Sequence, residues 1–251
     1  MKAIEVGGSF VVKAEKNEIK RACFHLFEFL EFKNKLKNID KILIKPNLVS
    51  VQNYTVGSIT DPLIVDGLIS YIRKFSNKEI LIVESETIWK TRRKLEKGEP
   101  DYDKKEQLIG FNLSLKNSGI EKIIKKNKDV KVLNITRAEK LDGKIAKEKI
   151  ITRFGDKAKN IFPEFLGVIP REFNANAIFI SLSKIKSHCF KDTKVTNCMK
   201  NQFGLISYPD KTPYHRKLSE AILYMNMIAQ AFFNCYYIAE ALRYTIEGRG
   251  P

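Results

Sequence analysis

Short apolar runs separated by amphipathic segments constrain the fold of this chain more than any other feature of its sequence. Four runs have the length and composition of buried strands, and they occupy residues 42–44, 80–83, 130–135 and 177–182. Segments with the period of a helix lie between them. Strands that alternate with helices predict an α/β fold, in which an open, mostly parallel sheet carries helices on both faces.

The helical segments carry their own signals. Pro62 follows Thr60 or Asp61, either of which can cap the helix, and apolar residues recur at helical spacing through Ile72. This pattern predicts a helix directly after the first strand. Further segments of helical period lie at residues 18–32, 108–127 and 217–233, and the last of them precedes a predicted final strand at residues 236–239.

Other stretches do not fit the alternation. Residues 87–107 are polar and charged, which predicts a long surface excursion beside the end of a strand. Residues 144–153 and 162–169 predict short, partly exposed strands or a hairpin, so a β-rich or irregular excursion is expected near 144–170. Because no internal repeat or low-complexity segment divides the chain, residues 1–251 are predicted to form a single α/β domain.

The chain is strongly basic, since its 251 residues include 45 basic and 29 acidic side chains and carry a formal net charge of +16. Such an excess is typical of proteins with an anionic partner, such as nucleic acid, membrane lipid or a phosphorylated metabolite. General lysine richness explains it equally well, because acidic residues are interspersed through most of the chain. The charge alone therefore leaves the partner open.

Cysteine usage and hydropathy indicate the compartment. Cys23, Cys189, Cys198 and Cys235 form no C-x-x-C pair and do not have the dense spacing of a secreted disulfide scaffold. The first residues lack the apolar core of a signal peptide, and no apolar run reaches the roughly 18 residues that a membrane span needs. The prediction is a soluble cytoplasmic protein without a membrane span.

Polar residues follow three of the predicted strands at the point where each strand ends. Lys45–Asn47 follows the first strand, Glu84–Glu86 the second and Ser183–His188 the fourth. In open α/β sheets ligands bind outside the carboxyl ends of the strands, where such loops converge. The sequence therefore predicts one shared site at this edge.

The stretch from Ser181 to Gly204 is the richest in candidate groups. A lysine at the edge of a sheet supplies a compact charge suited to phosphate or carboxylate, whereas the alternative is a solvated loop in a lysine-rich protein. The lysines of this stretch are Lys184, Lys186, Lys191, Lys194 and Lys200.

Two histidines are candidates for acid–base chemistry. His188 and His215 have the residue type whose ordinary pKa lies near neutrality, although a hydrogen-bonded structural role is equally consistent with either. Together with Cys189 they match the spacing of no zinc or iron–sulfur site, so no metal is predicted. Neither Cys189 nor Cys198 has an identified base, which disfavours a cysteine nucleophile.

The usual phosphate-binding loops are absent from the sequence. No G-x-x-x-x-G-K-[ST] motif occurs, and no G-x-G-x-x-G follows a strand, so ordinary nucleotide and dinucleotide sites are disfavoured. The helix that begins at Pro62 nevertheless offers free backbone N–H groups to an anion.

Three motifs in order resemble a known family. They are ILIKPNLVS with a following G-x-x-T-D-P, then AIFISLSKIKSH with V-T-x-x-x-K-N-x-F-G, and finally a histidine and a closing E-G-R-G-P. The combination resembles the uncharacterised family called domain of unknown function 362, from about Lys41 to Pro251. The family's motif positions that we take as site candidates are Lys45, Asn47, Thr60, Asp61, Lys186, His188, Thr196, Lys200, Asn201, His215 and Arg249.

The resemblance also implies differences. Some members of the family carry an iron–sulfur module, but this chain has no such run of cysteines, so no iron–sulfur cluster is predicted within it and the cofactor is unknown. Cys198 replaces a small or aliphatic residue, and Glu240 stands where an aspartate is common. Similar proteins continue with a further strand and helix, so the chain is expected to lack these and its last strand to lack a sheet neighbour.

These observations leave three functional hypotheses. The first is an enzyme or binding domain for an anionic small molecule, in which Lys45, Lys186 and Lys200 bind the anion and a histidine transfers a proton. The second is nucleic-acid binding, suggested by the net charge and by aromatic residues such as Trp89, Phe190 and Tyr208 near basic ones. The third is an accessory subunit of a redox system.

Overall fold

The structure is a computed structural model, and it describes residues 3–6, 9–49, 51, 53–87, 104–158, 169–187 and 195–242. Its strands are β1 (Ala3–Val6), β2 (Ser9–Val12), β3 (Lys41–Pro46), β4 (Glu79–Glu84), β5 (Val130–Asn134), β6 (Ala177–Lys184), β7 (Lys186–Ser187), β8 (Val195–Thr196) and β9 (Asn234–Glu240). Its α-helices are α1 (Ile19–Phe29), α2 (Phe32–Lys35), α3 (Pro62–Phe75), α4 (Lys104–Asn117), α5 (Ile120–Lys126), α6 (Gly143–Phe154), α7 (Cys198–Asn201), α8 (Thr212–His215) and α9 (Leu218–Phe232). Short 3-10 helices occupy Lys16–Glu18, Tyr54–Val56, Asp156–Ala158, Arg171–Phe173 and Gln202–Leu205.

The principal sheet has five strands in the order β5-β4-β3-β6-β9, and all of its pairings are parallel. Strand β3 is central, and it pairs with β6 from Lys41 opposite Ala177 to Pro46 opposite Leu182. The carboxyl ends of β3, β4, β6 and β9 therefore meet at one edge. Strands β1 and β2 form a separate antiparallel hairpin, as do β7 and β8.

Alternating side chains of the central strand enter two apolar cores. Ile42 and Ile44 pack on one face against α1 and α3, whereas Leu43 packs on the other face against α6 and α9. This alternation follows from the two-residue period of a strand and makes both faces of the sheet buried. The predicted α/β fold, with a parallel sheet and helices on both faces, is confirmed.

The predicted helix boundaries match where local signals are strong. Asp61 caps α3, since its Oδ1 accepts a hydrogen bond from the Leu63 amide at 3.0 Å, and Pro62 is the first helical residue. The predicted helix over 18–32 ends earlier, because Glu31 adopts a left-handed backbone with φ of 48° and separates α1 from α2. Gly119, with φ of 78°, similarly separates α4 from α5. No helix within the described ranges is both long and apolar enough to cross a membrane.

The excursion predicted near 144–170 is wrong over its first part. Residues 144–153 lie in α6, which begins after Asp142, whose carboxylate accepts a hydrogen bond from the Lys144 amide at 2.7 Å. Ala146 and Ile150 are buried four residues apart on one side of this helix. The β-branched residues suggested a strand, but the cap and the i, i+4 burial favoured a helix. Most of the predicted strand at 162–169, and of the surface excursion at 87–107, falls outside the described residues.

Candidate functional site

Four lysines are buried at the carboxyl edge of the sheet. Lys45, Lys184, Lys186 and Lys211 expose between 0 and 9% of their surface. Lysines are almost never buried to this extent unless they are paired, because removing an ammonium group from water is costly. The contacts of each lysine therefore define the chemistry of this edge.

Lys45, at the end of the central strand, forms a buried ion pair. Its Nζ lies 2.6 Å from Glu84 Oε2, at the end of the neighbouring β4, and donates a second hydrogen bond to the Pro46 carbonyl at 2.9 Å. Glu84 also accepts from the Ser85 amide at 3.0 Å and the Leu48 amide at 3.4 Å. The predicted anion-binding Lys45 is thus held by a carboxylate of the chain itself.

Burial governs the electrostatics of this pair. It lowers the pKa of Lys45 and raises the pKa of Glu84, and in each case the partner's charge opposes the effect of burial. Gly204 covers the pair so closely that a Cβ there would lie 2.6 Å from both Glu84 Oε1 and Lys45 Nζ. The absence of a side chain at this position therefore allows the ion pair to fit beneath the segment.

Lys184 and Glu240 form a second buried pair, across β6 and β9, where they are register partners. Lys184 Nζ lies 2.9 Å from both carboxylate oxygens of Glu240. Glu240 Oε1 also accepts a hydrogen bond from the Asp61 amide at 3.1 Å. Asp61 therefore contributes its carboxylate to the cap of α3 and its backbone to the charge network of the edge.

Thr60 connects the loop after β3 to the end of β6. Its Oγ1 donates to the Leu182 carbonyl at 2.9 Å and accepts from the Asn47 amide at 2.8 Å, while its own amide donates to the Asn47 carbonyl at 3.0 Å. Lys186 Nζ donates to the Ser58 carbonyl of the same loop at 2.7 Å. The structure thus brings Asn47, Thr60 and Lys186 to one place, as predicted, and gives Thr60 a bracing role.

Asn201, the last residue of α7, connects strands β3 and β6. Its Nδ2 donates to the Lys45 carbonyl at 3.0 Å and to Ser181 Oγ at 2.9 Å. Lys200, its neighbour in α7, places its ammonium 4.2 Å from the centroid of the Phe203 ring. The K-N pair of the second motif therefore supplies one residue that holds the edge together and one cation beside it.

Lys211 is the fourth buried lysine and was not predicted. Its Nζ donates to the Glu86 carbonyl at 2.7 Å, and among the described residues it makes no ion pair with a carboxylate. Burial lowers its pKa to about 8, and the cations Lys45 and Lys200 add to this effect, although Glu84 and Glu86 oppose it. Lys211 is therefore close to losing its proton at physiological pH.

The carboxylate of Glu86 is held by other residues. It forms an ion pair with Arg137 and accepts a hydrogen bond from Asn134 Nδ2 at 2.8 Å. The backbone amide of Glu86 donates to Thr136 Oγ1 at 2.9 Å. Glu86 thus anchors the segment after β5 to the end of β4, and its carbonyl positions Lys211.

His215 lies beside Lys211 and is half-buried. Its Nδ1 is 2.8 Å from the Lys211 carbonyl, and its ring packs edge to face on Phe203, with centroids 4.6 Å apart. Burial lowers its pKa, and the nearby cations Lys200 and Lys211 lower it further. The tautomer that donates from Nδ1 to the carbonyl carries its lone pair on Nε2, which is the form of a general base.

Some predicted site residues cannot be placed. His188, Cys189 and Arg249 lie outside the described residues. For Thr196 only the backbone is described, and it pairs with Lys186 in the β7–β8 hairpin. Within the described ranges no three histidine, cysteine, aspartate or glutamate side chains come together as a metal site requires.

Cys198 contacts the polar end of β6. Its Sγ lies 3.0 Å from Ser183 Oγ, and burial raises the pKa of the thiol. A protonated, hydrogen-bonded thiol is a poor nucleophile, so this environment gives Cys198 a packing role.

Sequence reasoning missed the acidic partners of these lysines. Glu84 was noted only as part of a polar triplet after a strand, and Glu240 only as a departure from a family pattern. Their common signal is a carboxylate at the end of a predicted buried strand, opposite a lysine at the end of a neighbouring one. Lys211 carries no comparable signal, because it follows no predicted strand.

A cavity of about 570 Å³ lies at the opposite end of the sheet, near the start of β9. Its polar lining includes Lys35, Arg153 and Gln230. It contains none of the predicted site residues and lies at the amino ends of the strands, where parallel sheets seldom bind ligands. The carboxyl edge therefore remains the candidate site.

Comparisons with known proteins identify the family but no activity. No curated protein and no solved structure matches the chain. One family model matches residues 42–242, which is most of the chain and includes every described residue of the candidate site. The chain therefore belongs to the family described as Domain of unknown function (DUF362).

Proposed function

We propose that the carboxyl edge of the sheet binds an anionic small molecule that bears a phosphate or a carboxylate, and that groups at this edge can transfer a proton to or from it. The observation that carries this proposal is the state of Lys211, a buried lysine whose ammonium donates to a backbone carbonyl and forms no ion pair with any described carboxylate.

The balance of charge at the edge supports an anionic ligand. Each of the buried glutamates is already matched by a cation, because Glu84 pairs with Lys45, Glu240 with Lys184, and Glu86 with Arg137. Further cations surround these pairs. They include Lys211, which among the described residues forms no ion pair, whereas the carboxylate of Asp61 caps α3.

The pKa of Lys211 shows the effect of its buried environment. Burial and the neighbouring cations disfavour its charged form and lower its pKa to about 8. An anion beside Lys211 would reverse both effects, because it would supply the missing counter-charge in a site of low dielectric constant. Binding would then be strongest when Lys211 is protonated, and it would take up a proton from solution near pH 8.

Proton transfer is assigned to His215 and Lys211. His215 has its Nδ1 fixed by the Lys211 carbonyl, and its lowered pKa keeps the imidazole neutral at physiological pH. Lys211 can exchange its proton near pH 8. His188 stays a predicted alternative, two residues beyond the described Lys186.

The test is calorimetric titration with sulfate, as a tetrahedral dianion whose charge is constant over the range used, and with acetate as a carboxylate. We expect at least one of them to bind, with an affinity that falls as the pH rises through 8 and with proton uptake visible in buffers of different ionisation enthalpy. Lys211→Met should weaken binding about tenfold or more and abolish the proton uptake.

The matched control is Lys131→Met, which removes one exposed positive charge at the other end of the sheet. This variant should bind as the wild type does. If neither anion binds, or if Lys211→Met and Lys131→Met bind equally well, the proposal is wrong.

We also propose a cytoplasmic location. The described cysteines Cys23, Cys198 and Cys235 are free thiols, as expected in a reducing compartment. For the nucleic-acid hypothesis, Trp89 and Phe190 lie outside the described residues, and Tyr208 is exposed and stacks on Tyr214 with centroids 6.3 Å apart. That hypothesis and the redox-subunit hypothesis stay predictions.

A further inference from the structure

The backbone of Asn47 is held by hydrogen bonds, whereas its side-chain oxygen accepts none from the described residues. Its amide and carbonyl both bond to Thr60, at 2.8 and 3.0 Å. The side chain is almost completely buried, with 2% of the residue exposed, and its Oδ1 accepts no hydrogen bond from any described residue. The side-chain amide therefore keeps its hydrogen-bonding capacity while its position is held by the main chain.

An unpaired buried carbonyl is costly. Leaving such a group without a donor destabilises a protein, and native structures contain few of them. Asn47 follows the central strand directly, and the next residue, Leu48, donates its amide to Glu84 at 3.4 Å. The unsatisfied oxygen therefore belongs to the loop that forms the candidate anion site.

Other buried amides of the chain show what a structural role looks like. Asn201 donates to carbonyl and hydroxyl groups of β3 and β6, which ties the two strands to α7. Asn226 also has an unpaired Oδ1, but its Nδ2 donates to the Met199 and Ile222 carbonyls at 2.9 and 2.7 Å and so joins α9 to α7. The Asn47 side chain ties no described element to another.

We propose that Asn47 Oδ1 accepts a hydrogen bond from a hydroxyl group of the ligand, which narrows the ligand to phosphates or carboxylates that also carry a hydroxyl. This inference rests on the proposed function, because it concerns the same site and the same anion. A neutral hydroxyl fits better than an ammonium group as the donor, since an ammonium group would bring a further positive charge to an edge that already holds four buried lysines.

The test compares anions that differ in their hydroxyl groups. Methyl phosphate is compared with glycerol 3-phosphate, and propionate is compared with lactate. The first comparison tests ligands that bear a phosphate, and the second tests ligands that bear a carboxylate. In the wild-type protein we expect the hydroxylated member of at least one pair to bind about tenfold more tightly. Asn47→Leu should remove this preference while it binds the member without a hydroxyl as the wild type does.

A second measurement separates a ligand-binding role from a structural one. Asn47→Leu removes an unpaired polar group, so the protein should be as stable as the wild type or more stable, and Asn47→Ala provides a smaller replacement if leucine does not fit. The matched control is Asn226→Leu, which removes another buried amide with an unpaired oxygen. It should lose stability and keep the preference for the hydroxyl.

The outcomes distinguish this inference from the function on which it rests. If the wild type binds both members of each pair equally, the inference is overturned and the anion site stands. If the preference persists in Asn47→Leu and Asn47→Ala, another residue recognises the hydroxyl and the inference is likewise wrong. If no anion of either pair binds, both proposals fail.

Discussion

Strands β3 and β4 carry a lysine–glutamate pair at each end, and the two pairs differ in almost everything except residue type. At the amino ends Lys41 lies opposite Glu79 in the register at 3.7 Å, and Glu79 also binds the exposed Lys131 of β5 at 2.6 Å. At the carboxyl ends Lys45 and Glu84 are separated by the same 2.6 Å but are buried. Contact distance alone therefore says little about either pair.

Water makes the difference. The hydrogen bond from Lys131 lowers the pKa of Glu79, whereas burial raises the pKa of Glu84. An exposed pair contributes little to stability, and a buried pair is often less stabilising than apolar residues of the same volume. Stability alone therefore does not explain the buried charge at the carboxyl ends, which agrees with the ligand site that we propose there.

The largest expected effect comes from breaking the buried ion pair between Lys45 and Glu84. Glu84→Gln leaves Lys45 buried without a counter-charge, which should lower the free energy of unfolding by about 3–5 kcal/mol in urea titrations. The double variant with Lys45→Met and Glu84→Leu should recover most of this loss, because no charge is then left buried. A loss below about 1 kcal/mol in Glu84→Gln would show that water reaches the pair.

The second prediction concerns Lys211 and pH. Burial lowers its pKa from the ordinary 10.5 to about 8, so between these values the unfolded chain holds a proton that the folded chain has lost. The unfavourable contribution of Lys211 is fully present below pH 8 and fades as the pH rises toward 10.5. Relative to Lys211→Met, the wild type should thus gain up to about 3 kcal/mol over this range.

The exposed end provides a control of opposite sign. Glu79 raises the pKa of Lys131, so the contribution of Lys131 is favourable and is lost as the pH rises through its folded pKa. Comparison of the wild type with Lys131→Met should therefore show no gain between pH 8 and 10.5, where Lys211 produces one, and a small decline only above pH 10.5. Parallel curves for Lys131→Met and Lys211→Met would contradict the assignment.

The third prediction tests the close packing of Gly204 against the buried pair of Lys45 and Glu84. A Cβ at position 204 would lie 2.6 Å from Glu84 Oε1 and Lys45 Nζ, and both side chains are held in the buried ion pair, so relief of the contact would disturb that pair. Gly204→Ala should cost about 1–3 kcal/mol in the free energy of unfolding and weaken anion binding. Gly143→Ala is the matched control, because a Cβ there meets no atom within 4 Å.

The smallest effect is expected at the amino ends. Glu79→Gln should change the free energy of unfolding by less than about 1 kcal/mol, and added salt should reduce the change further. If Glu79→Gln instead costs as much as Glu84→Gln, solvent exposure does not explain the contrast between the two ends.

Local sequence patterns predicted the strands and helices of the fold, but they did not predict which side chains pair with each other in the candidate site. The cap of α3 at Asp61 and the loop after β3 were predictable, because each depends on residues close together in sequence. The partner of Lys45 was not, since Glu84 is 39 residues away and the direction of a flexible lysine side chain depends on the folded surroundings. The wrong prediction for α6 gave β-branched residues more weight than the cap at Asp142 and the helical spacing of buried residues.

The bond between the Asp61 amide and Glu240 joins residues 179 positions apart, which has a consequence for synthesis. Until the ribosome has made β9, neither Asp61 nor Lys184 has its Glu240 partner, although β3, β4, β5 and β6 can already pair. The nascent chain therefore holds an unbalanced lysine at the growing edge of its sheet. The carboxyl edge of the sheet therefore cannot reach its final arrangement before Glu240 has been made.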